Sequence, residues 1–243
     1  MKKLEFQPIG ILQTCFKEKF GIPRQSGLVS DAHGILKFND EPFLRQALQG
    51  LEGFSHIWVI FVFHEHGSKN WKPTVRPPRL GGAKKVGVLA SRSPHRPNPI
   101  GLSVVKLEKI DLAASGGPEL HLSGVDILDG TPILDVKPYL PYADSIPVAS
   151  SGWAVESIER SEVVITSEAE SAIEQASKRE GRPLRNLILQ IMELDPRPAF
   201  QKRESSTKSD EAGGTGHGFR LFNSDVKWEI RNGKLCVTDI VQF

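Results

Sequence analysis

The apolar residues of the first 140 positions occur in short runs separated by glycine and proline. The longest run, 57–63, is β-branched and aromatic throughout, which is typical of a strand buried on both faces. Shorter runs predict further strands at 86–90, 102–107, 120–122 and 125–128. Because almost no helix separates these runs, the pattern predicts an antiparallel sheet or a small barrel and argues against a doubly wound parallel sheet.

Helical spacing of apolar residues is found mainly in the second half of the chain. It predicts one early helix at 42–50 and two later helices at 168–180 and 184–194. Residues 141–153 are rich in proline, serine and alanine and are interpreted as a linker. The chain is therefore predicted to be mainly β, with a β-rich domain at 1–145 and a smaller α+β domain at 146–243.

The C-terminus is predicted to form a hairpin. Residues 226–231 and 234–241 flank Asn232-Gly233, which is a strong signal for a type I′ turn. The preceding segment, 201–216, is polar and glycine-rich and is interpreted as a loop.

Composition excludes several classes of protein. Hydrophobic residues make up 39% and charged residues 25% of the 243, as in ordinary globular proteins. No apolar run reaches the roughly 20 residues that span a bilayer, and the N-terminus lacks the apolar stretch of a secretory signal. Cys15 and Cys236 match no metal-ligand spacing. We expect a cytoplasmic protein without a membrane segment, a disulfide framework or a metal.

Basic residues are concentrated although the formal net charge is only +2. Residues 66–107 contain no acid in a chain that has 29 acidic residues. Two proline-arginine segments lie in this stretch, at 76–79 and 92–99. Proline stiffens both segments, and a guanidinium held in place is a planar fork for phosphate or carboxylate. This pattern predicts a preformed site for an anionic ligand.

The segment 92–101 is the most informative motif. We interpret Arg92 and Arg96 as anion contacts and Asn98 as a polar positioning group. The alternative is a proline-stiffened connection with exposed arginines, and the density of prolines around Asn98 favours the functional interpretation.

Four further motifs have both a structural and a functional interpretation. Pro23-Arg24-Gln25 alone would be a surface turn, and the three carboxylates of 126–135 surround Asp-Gly-Thr-Pro turn chemistry. His64-Glu65-His66 could ligate a metal, but no third ligand stands at a familiar spacing. Asp195-Pro196-Arg197-Pro198 is equally well a helix stop or a second fixed arginine.

Six segments together resemble the TsaA-like (TrmO) family of AdoMet-dependent transfer RNA methyltransferases. The resembling segments are KEKFGIPRQSGL at 17–28, LEGFSHIWVIFVFH at 51–64, WKPTVRPPRLGG at 71–82, VGVLASRSPHRPNPIG at 86–101, DGTPILDVKPYLPY at 129–142 and DPRP at 195–198. Such long motifs in one order, within a likeness running from about residue 6 to 200, make the match specific.

The resemblance implies a fold and an activity. It implies an N-terminal β-barrel that binds S-adenosyl-L-methionine (AdoMet) without a Rossmann sheet, a homodimer, and methylation of the exocyclic nitrogen of threonylcarbamoyl-adenosine beside the transfer RNA anticodon. By motif match it places the AdoMet contacts at Pro23, Arg24, Gln25, His64, Glu65, Arg92, Leu102, Asp126, Ile127, Leu128 and Asp129.

The remaining polar candidates are assigned to chemistry and to RNA. Arg92, Asn98 and Asp129 are the catalytic candidates. The substrate's threonyl carboxylate and the anticodon-arm phosphates need further cations. The candidates for this role, with the aspartate that orients one of them, are Arg76, Arg79, Lys84, Lys85, Arg96, Asp195 and Arg197.

Two other functions remain open from the residues alone. One is a non-catalytic module whose basic loop binds the anticodon arm. The other is a metal-dependent hydrolase that uses His64, His66 and Asp129, which the missing metal-ligand spacing disfavours.

Overall fold

Six antiparallel strands close into a barrel in the N-terminal part of the chain. The structure is a computed structural model that describes residues 4–66, 71–155, 158–198, 201 and 216–243. The strands before residue 140 are β1 Gly10–Thr14, β2 His33–Phe38, β3 His56–Val62, β4 Thr74–Val75, β5 Val86–Gly87, β6 Ile100–Asp111, β7 Glu119–Ser123 and β8 Thr131–Pro138. The barrel order is β1-β2-β7-β6-β3-β8, and β4 and β5 form a separate two-stranded ribbon.

Buried and partly exposed side chains alternate along β3, as a strand of a closed barrel requires. In β3, Ile57, Val59 and Phe61 are buried, while the residues between them are partly exposed. The prediction of a strand buried on both faces is therefore wrong, because one face of a closed barrel points outward. The predicted mainly β fold with an N-terminal barrel is confirmed.

Two predicted strands are wrong in part or in full. The run 86–90 is a strand only at Val86–Gly87, after which Val88–Ala90 form a 3-10 turn closed by a bond from the Ser91 N–H to the Val88 carbonyl (3.1 Å). The run 125–128 is a loop. Hydrogen bonds from side chains, rather than from a neighbouring strand, satisfy carbonyls of this loop. The Thr14 hydroxyl donates to the Ile127 carbonyl (2.9 Å), and the Thr131 hydroxyl donates to the Leu128 carbonyl (2.7 Å).

Helices and a second sheet form the C-terminal part. One helix, α1 Pro42–Ala47, lies between β2 and β3, and α2 Pro141–Asp144 follows the barrel. The C-terminal part contains α3 Ser167–Glu180 and α4 Arg185–Glu193 with the strands β9 Val163–Ile165, β10 His217–Leu221, β11 Ser224–Arg231 and β12 Lys234–Gln242. The sheet order is β10-β11-β12-β9, with β9 parallel to β12. The early helix and both later helices are confirmed.

The predicted hairpin is also confirmed. Asn232 and Gly233 have φ of 52° and 75°, the positive values that a type I′ turn requires at both central positions. The linker 141–153 contains the short helix α2 and a 3-10 turn at Gly152–Ala154, and its side chains are exposed. Of the predicted loop 201–216, residues 202–215 lie outside the described residues.

The barrel and the C-terminal sheet share one hydrophobic core. Phe16, two residues after the end of β1, is fully buried and forms a bridge with Leu221 at the end of β10. The Phe222 N–H donates to the Cys15 carbonyl (2.9 Å). The segment that follows β1 is thereby held between the two parts, and this segment contains several site candidates.

Gly101 in β6 lies where no side chain fits. A methyl group added there would lie 2.2 Å from Cζ of Phe61, whose ring is buried and packs edge to face on Phe63 with centroids 5.1 Å apart. The Gly101→Ala variant should therefore lose about 1–3 kcal/mol of unfolding free energy, since overpacking displaces a core ring. Urea unfolding measures this, and Gly53→Ala, where an added methyl group has open space, is the matched control. Equal midpoints for the two variants would contradict the prediction.

Candidate active site

A cleft of about 940 Å³ lies between the barrel and the C-terminal part. Four segments form most of its walls: the loop after β1, the end of β3 with the residues after it, the loop before β8, and the end of α4 with the turn that follows. The predicted site residues in the walls are Pro23, Arg24, His64, Glu65, Asp126, Ile127, Leu128, Asp129, Asp195 and Arg197. Segments more than 170 residues apart in sequence thus meet at one cavity.

Asp129 fastens the loop before β8 to the loop after β1. Its Oδ1 accepts the Thr14 N–H (2.8 Å), and its Oδ2 accepts the Lys17 ammonium (2.7 Å). Both oxygens are therefore engaged, and Asp129 sets the shape of the cleft wall.

Asp126 is a partly buried carboxylate of the same loop. Asp129 pairs with the Lys17 ammonium, but no ammonium pairs with Asp126 among the described residues. The Ser103 hydroxyl donates to its Oδ1 (2.6 Å). Burial raises the pKa of Asp126, against the opposing effects of this hydrogen bond and of the positive charge of Arg92. The positive charge of Arg92 thus acts on Asp126, although Asp126 lines the first cleft and Arg92 the second. The neighbouring Ile127 side chain is itself buried in the core.

Arg92, Gln25 and Arg24 form a polar chain. The Arg92 guanidinium donates to Oε1 of Gln25, whose Nε2 donates to the Arg24 carbonyl. Arg24 in turn donates to the carbonyl of Arg197 (3.4 Å). Burial lowers the pKa of Arg24, and the nearby charge of Asp195 opposes this shift. The Pro23-Arg24-Gln25 motif is therefore a link between the two parts of the chain.

A second cleft of about 1000 Å³ lies on the other side of Arg24. Gln25, Arg79 and Arg92 line it, together with Trp153, whose indole N–H donates to the Ala90 carbonyl (2.9 Å). The prediction that residues 92–99 hold a fixed arginine agrees with this position of Arg92 at the cleft wall.

Asp195 and Arg197 form a buried, forked ion pair at the rim of the first cleft. Arg197 Nε donates to Oδ1 (2.9 Å) and a terminal nitrogen donates to Oδ2 (2.9 Å), and the backbone N–H of Arg197 also donates to Oδ1 (3.2 Å). Asp195 has a positive φ of 52° and is 7% exposed. The carboxylate thereby orients both the turn and the guanidinium.

Histidines occupy the wall beside β3. The His64 Nδ1 lies 3.4 Å from the Thr131 hydroxyl, and its Nε2 lies 3.6 Å from the Glu65 carboxylate. His66 lines the same wall. Among the described residues, no group of three or more histidine, cysteine or acidic side chains is arranged to hold a metal ion.

The other predicted residues lie outside the first cleft. Leu102 and Asn98 are exposed and line neither cleft, and Arg76, Lys84 and Lys85 are exposed residues of the stretch 66–107 that contains no acid. Arg96 donates to the Ser91 carbonyl (3.2 Å), so it also fixes its own loop. The roles assigned to these residues from the sequence stay predictions.

Several cleft residues could not be singled out from the sequence. Lys17, Glu18, Lys19 and Thr131 line the cleft, and Glu18 accepts the Arg220 N–H (3.1 Å). No local motif identifies them, although Lys17, Glu18 and Lys19 stand at the start of the segment 17–28 that resembles the family.

The fold and the cleft define the class of protein: a closed antiparallel β-barrel joined to a smaller sheet, with arginines, carboxylates and histidines around the cleft between them. The tRNA-methyltransferase O N-terminal domain matches residues 11–145, and the TrmO C-terminal domain matches residues 158–243. The chain belongs to the tRNA-methyltransferase O family.

Relatives match nearly the whole chain. The tRNA (adenine(37)-N6)-methyltransferase of Escherichia coli K12 is 40% identical over 232 residues, which cover 95% of this chain and 94% of that protein. A putative S-adenosylmethionine-dependent methyltransferase of Pseudomonas aeruginosa is 42% identical over 221 residues, 91% of this chain and 90% of that one. The crystal structure of TrmO from Pseudomonas aeruginosa superposes with a TM-score of 0.78 at 37% identity and covers 99% of both chains.

None of the helices in the described ranges has both the length and the apolar character needed to cross a membrane.

Proposed function

We propose that this chain transfers a methyl group from AdoMet to N6 of adenosine 37 in transfer RNA. The observation that carries the proposal is the meeting of Arg24, Asp126 and Arg197 at one cleft between the barrel and the C-terminal part. The names of the relatives that match almost the whole chain support the same reaction.

The groups around the cleft suit AdoMet. Its carboxylate is complementary to Arg24, which lines both clefts, or to Arg92 at the adjoining second cleft. Its ribose hydroxyls and amino group are complementary to Asp126 and the backbone of 126–129. Phe61 and Phe63 supply apolar surface in the same wall. When bound, AdoMet supplies a methyl group on a cationic sulfur, so the chain's own residues mainly orient the acceptor and exclude water.

The finer proposal concerns the substrate's modification. We propose that the target adenosine carries a threonylcarbamoyl group and that Arg197 binds its carboxylate or the adjacent backbone. The forked pair of hydrogen bonds between Arg197 and Asp195 supports this. It already holds the guanidinium at the cleft rim, so the Arg197 side chain loses little conformational freedom when the substrate binds.

We also propose a cytoplasmic homodimer. The outer face of β6 supports an association surface, because Ile100 and Leu102 are exposed by 42% and 52%, and Leu89 in the 3-10 turn at Val88–Ala90 is a further exposed apolar side chain, 75% exposed. A contact of this kind would explain why the outward-facing Leu102 falls at a cofactor position of the family. Sedimentation equilibrium measures the state, and a monomer at all concentrations would refute this proposal.

Two measurements test the reaction itself. Calorimetric titration with AdoMet should show one binding event, and incubation with transfer RNA should add one methyl group to the adenosine 37 nucleoside, as measured by mass spectrometry. Transfer RNA with and without the threonylcarbamoyl group separates the finer proposal from the coarser one. RNA binding without AdoMet binding would favour the non-catalytic module, and a metal in the purified protein with metal-dependent hydrolysis would favour the hydrolase.

The exposed cations outside the first cleft should act on RNA rather than on AdoMet. Neutralising Arg76, Arg79, Lys84 and Lys85 together should weaken transfer RNA binding. It should also lower the slope of log affinity against log salt by about three units, since each of the four phosphate contacts contributes about 0.7–0.9. AdoMet affinity should not change.

A control with the same change in net charge keeps this test specific. Its four cations are exposed and ion-paired elsewhere on the surface: Lys37, Arg45, Lys109 and Lys178. Similar salt slopes for the two quadruple variants would show that net charge, not this surface, determines RNA binding.

A further inference from the structure

Two imidazole rings pack together beside the first cleft. His66 is the last residue of the 3-10 turn that follows β3 and lines the cleft, and His95 comes from the loop 92–99 and packs behind it. Their rings are edge to face, with centroids 4.9 Å apart and planes at 76°. The His95 backbone is held by bonds from its N–H to the Ser93 hydroxyl (3.3 Å) and from the Lys72 N–H to its carbonyl (3.1 Å). His95 is therefore a fixed support against which the His66 ring packs.

In the described part of the chain, one nitrogen of His95 and the ring of His66 lack hydrogen-bond partners. Nδ1 of His95 is buried and has no hydrogen-bond partner in the described part of the chain. Across the same described ranges, the His66 side chain makes ring contacts with Phe63 and His95 but no hydrogen bond. A buried polar atom without a partner costs free energy, so the His95 ring has a reason beyond its own hydrogen bonding to lie there. It supports the ring of His66, which lines the cleft where a ligand can reach it.

Most carboxylates of the cleft are engaged by internal partners. Asp129 is held by Thr14 and Lys17, Asp195 by Arg197, and Glu18 by the Arg220 N–H. These groups have fixed partners, whereas no donor among the described residues occupies the lone pair of His66, which lines the same cleft. Among the acidic residues of the cleft, Asp126 is the other candidate for the proton acceptor.

The reaction of the proposed function needs a proton acceptor. The N6 lone pair is delocalised into the purine ring and, with a carbamoyl substituent, into the carbonyl, so N6 is a weak nucleophile until its proton leaves. We propose that His66 accepts this proton and that His95 positions the His66 ring. As the N6–carbon bond forms, the carbon–sulfur bond of the methyl donor breaks with its electron pair going to sulfur, and the N6 proton passes to a ring nitrogen of His66. This inference rests on the proposed function and deepens it.

The surroundings of His66 keep it in the neutral form that a base requires. Burial lowers the pKa of His66 below its ordinary value, and the positive charges of His95, Lys19 and His64 act in the same direction. The Glu65 carboxylate raises the pKa and is the opposing charge. The charged neighbours thus come from the loop after β1, from the loop 92–99 and from the segment of His66 itself.

The test is the pH dependence of single-turnover methyl transfer to transfer RNA. The wild-type rate should fall as pH decreases through the pKa of His66, because protonation removes the base. The His66→Asn and His66→Gln variants should transfer methyl groups about 100-fold more slowly and lack this acid limb. Their circular dichroism and AdoMet affinity should match those of the wild type.

A second variant tests the positioning role without depending on turnover. His95→Phe keeps the packed ring but removes a neighbouring positive charge, so the pKa of His66 should rise and the acid limb should move to higher pH. The NMR titration of the His66 ring protons gives this pKa directly, in the absence of substrate. An unchanged His66 titration in His95→Phe would overturn the coupling between the two rings.

Asp126→Asn separates the two candidate bases. If His66 is the base, the Asp126→Asn variant retains the acid limb even when its AdoMet affinity is reduced. An acid limb that disappears in Asp126→Asn and persists in His66→Asn would overturn the inference, as would a wild-type rate in His66→Asn. These outcomes leave the proposed function intact, whereas a wild-type chain that methylates no transfer RNA refutes both.

Discussion

The Arg197→Ala variant should methylate transfer RNA at least about 100-fold more slowly while binding AdoMet as well as the wild type. The Arg197 guanidinium stands at the cleft rim, and the contact with Arg24 is made by the Arg197 carbonyl, which alanine retains. The effect should therefore fall on substrate alignment. Single-turnover rates with modified transfer RNA measure the loss, and calorimetry measures the retained AdoMet affinity.

The same variant should be less stable. Asp195 and Arg197 have side chains only 10% and 14% exposed, and removal of Arg197 leaves the Asp195 carboxylate without this forked partner. Breaking a buried ion pair from one side costs about 3 kcal/mol or more, so rates must be compared well below the unfolding transition.

Two companion variants keep the result interpretable. Arg197→Lys keeps the charge but not the fork, so it should lose most of the rate as well. Asp195→Asn keeps the Arg197 guanidinium but removes the carboxylate that orients it, so this variant tests how far that orientation determines the rate. A full rate in Arg197→Ala would remove Arg197 from the substrate site, and an equal loss of rate and of AdoMet affinity would place it in the cofactor site.

The Arg92→Ala variant should bind AdoMet about 10- to 100-fold more weakly, the equivalent of about 1.5–3 kcal/mol for one charge-assisted hydrogen bond. Arg92 donates to Gln25 and lies within electrostatic reach of Asp126, so it connects two motifs at family cofactor positions. Its loss should also raise the pKa of Asp126 further, since Arg92 is the charge that opposes the effect of burial there.

Calorimetric titration measures the affinity of this variant. Arg45→Ala is the control, because Arg45 is an exposed arginine on α1 that pairs with Asp40 and lines neither cleft. Equal AdoMet affinities for Arg92→Ala and the wild type would exclude Arg92 from the cofactor site.

Local chemistry made much of the fold predictable. The run at 57–63 predicted β3 because β-branched and aromatic residues fit a pleated surface, and Asn232-Gly233 predicted its turn because both positions tolerate positive φ. The wrong predictions have the opposite cause, because contacts between residues distant in the sequence determined the structure there. The apolar composition of 125–128 predicts a strand, but Thr14 and Thr131 satisfy the backbone of that loop from other strands.

Some residues of the site were also predictable from the sequence, and others were not. The proline-arginine loop at 92–99 and the motif 23–25 were visible in the sequence, since proline and arginine carry their stiffness and charge locally. Asp195 and Arg197 could be read equally well as a helix stop. Their place at the cleft rim depends on the core that Phe16 and Leu221 share, which joins segments about 200 residues apart.

The sequence by itself determined the mainly β character of the chain, the two C-terminal helices, the terminal hairpin and the family, because each depends on periodicity, turn residues or motifs of consecutive residues. Only the tertiary structure decided the order of the strands in the barrel, the engagement of Asp129 by Thr14 and Lys17, and the packing of His66 on His95. The physical reason is that hydrogen bonding, burial and charge act between side chains that chain closure brings together. Such proximity is not written in the spacing of residues along the chain.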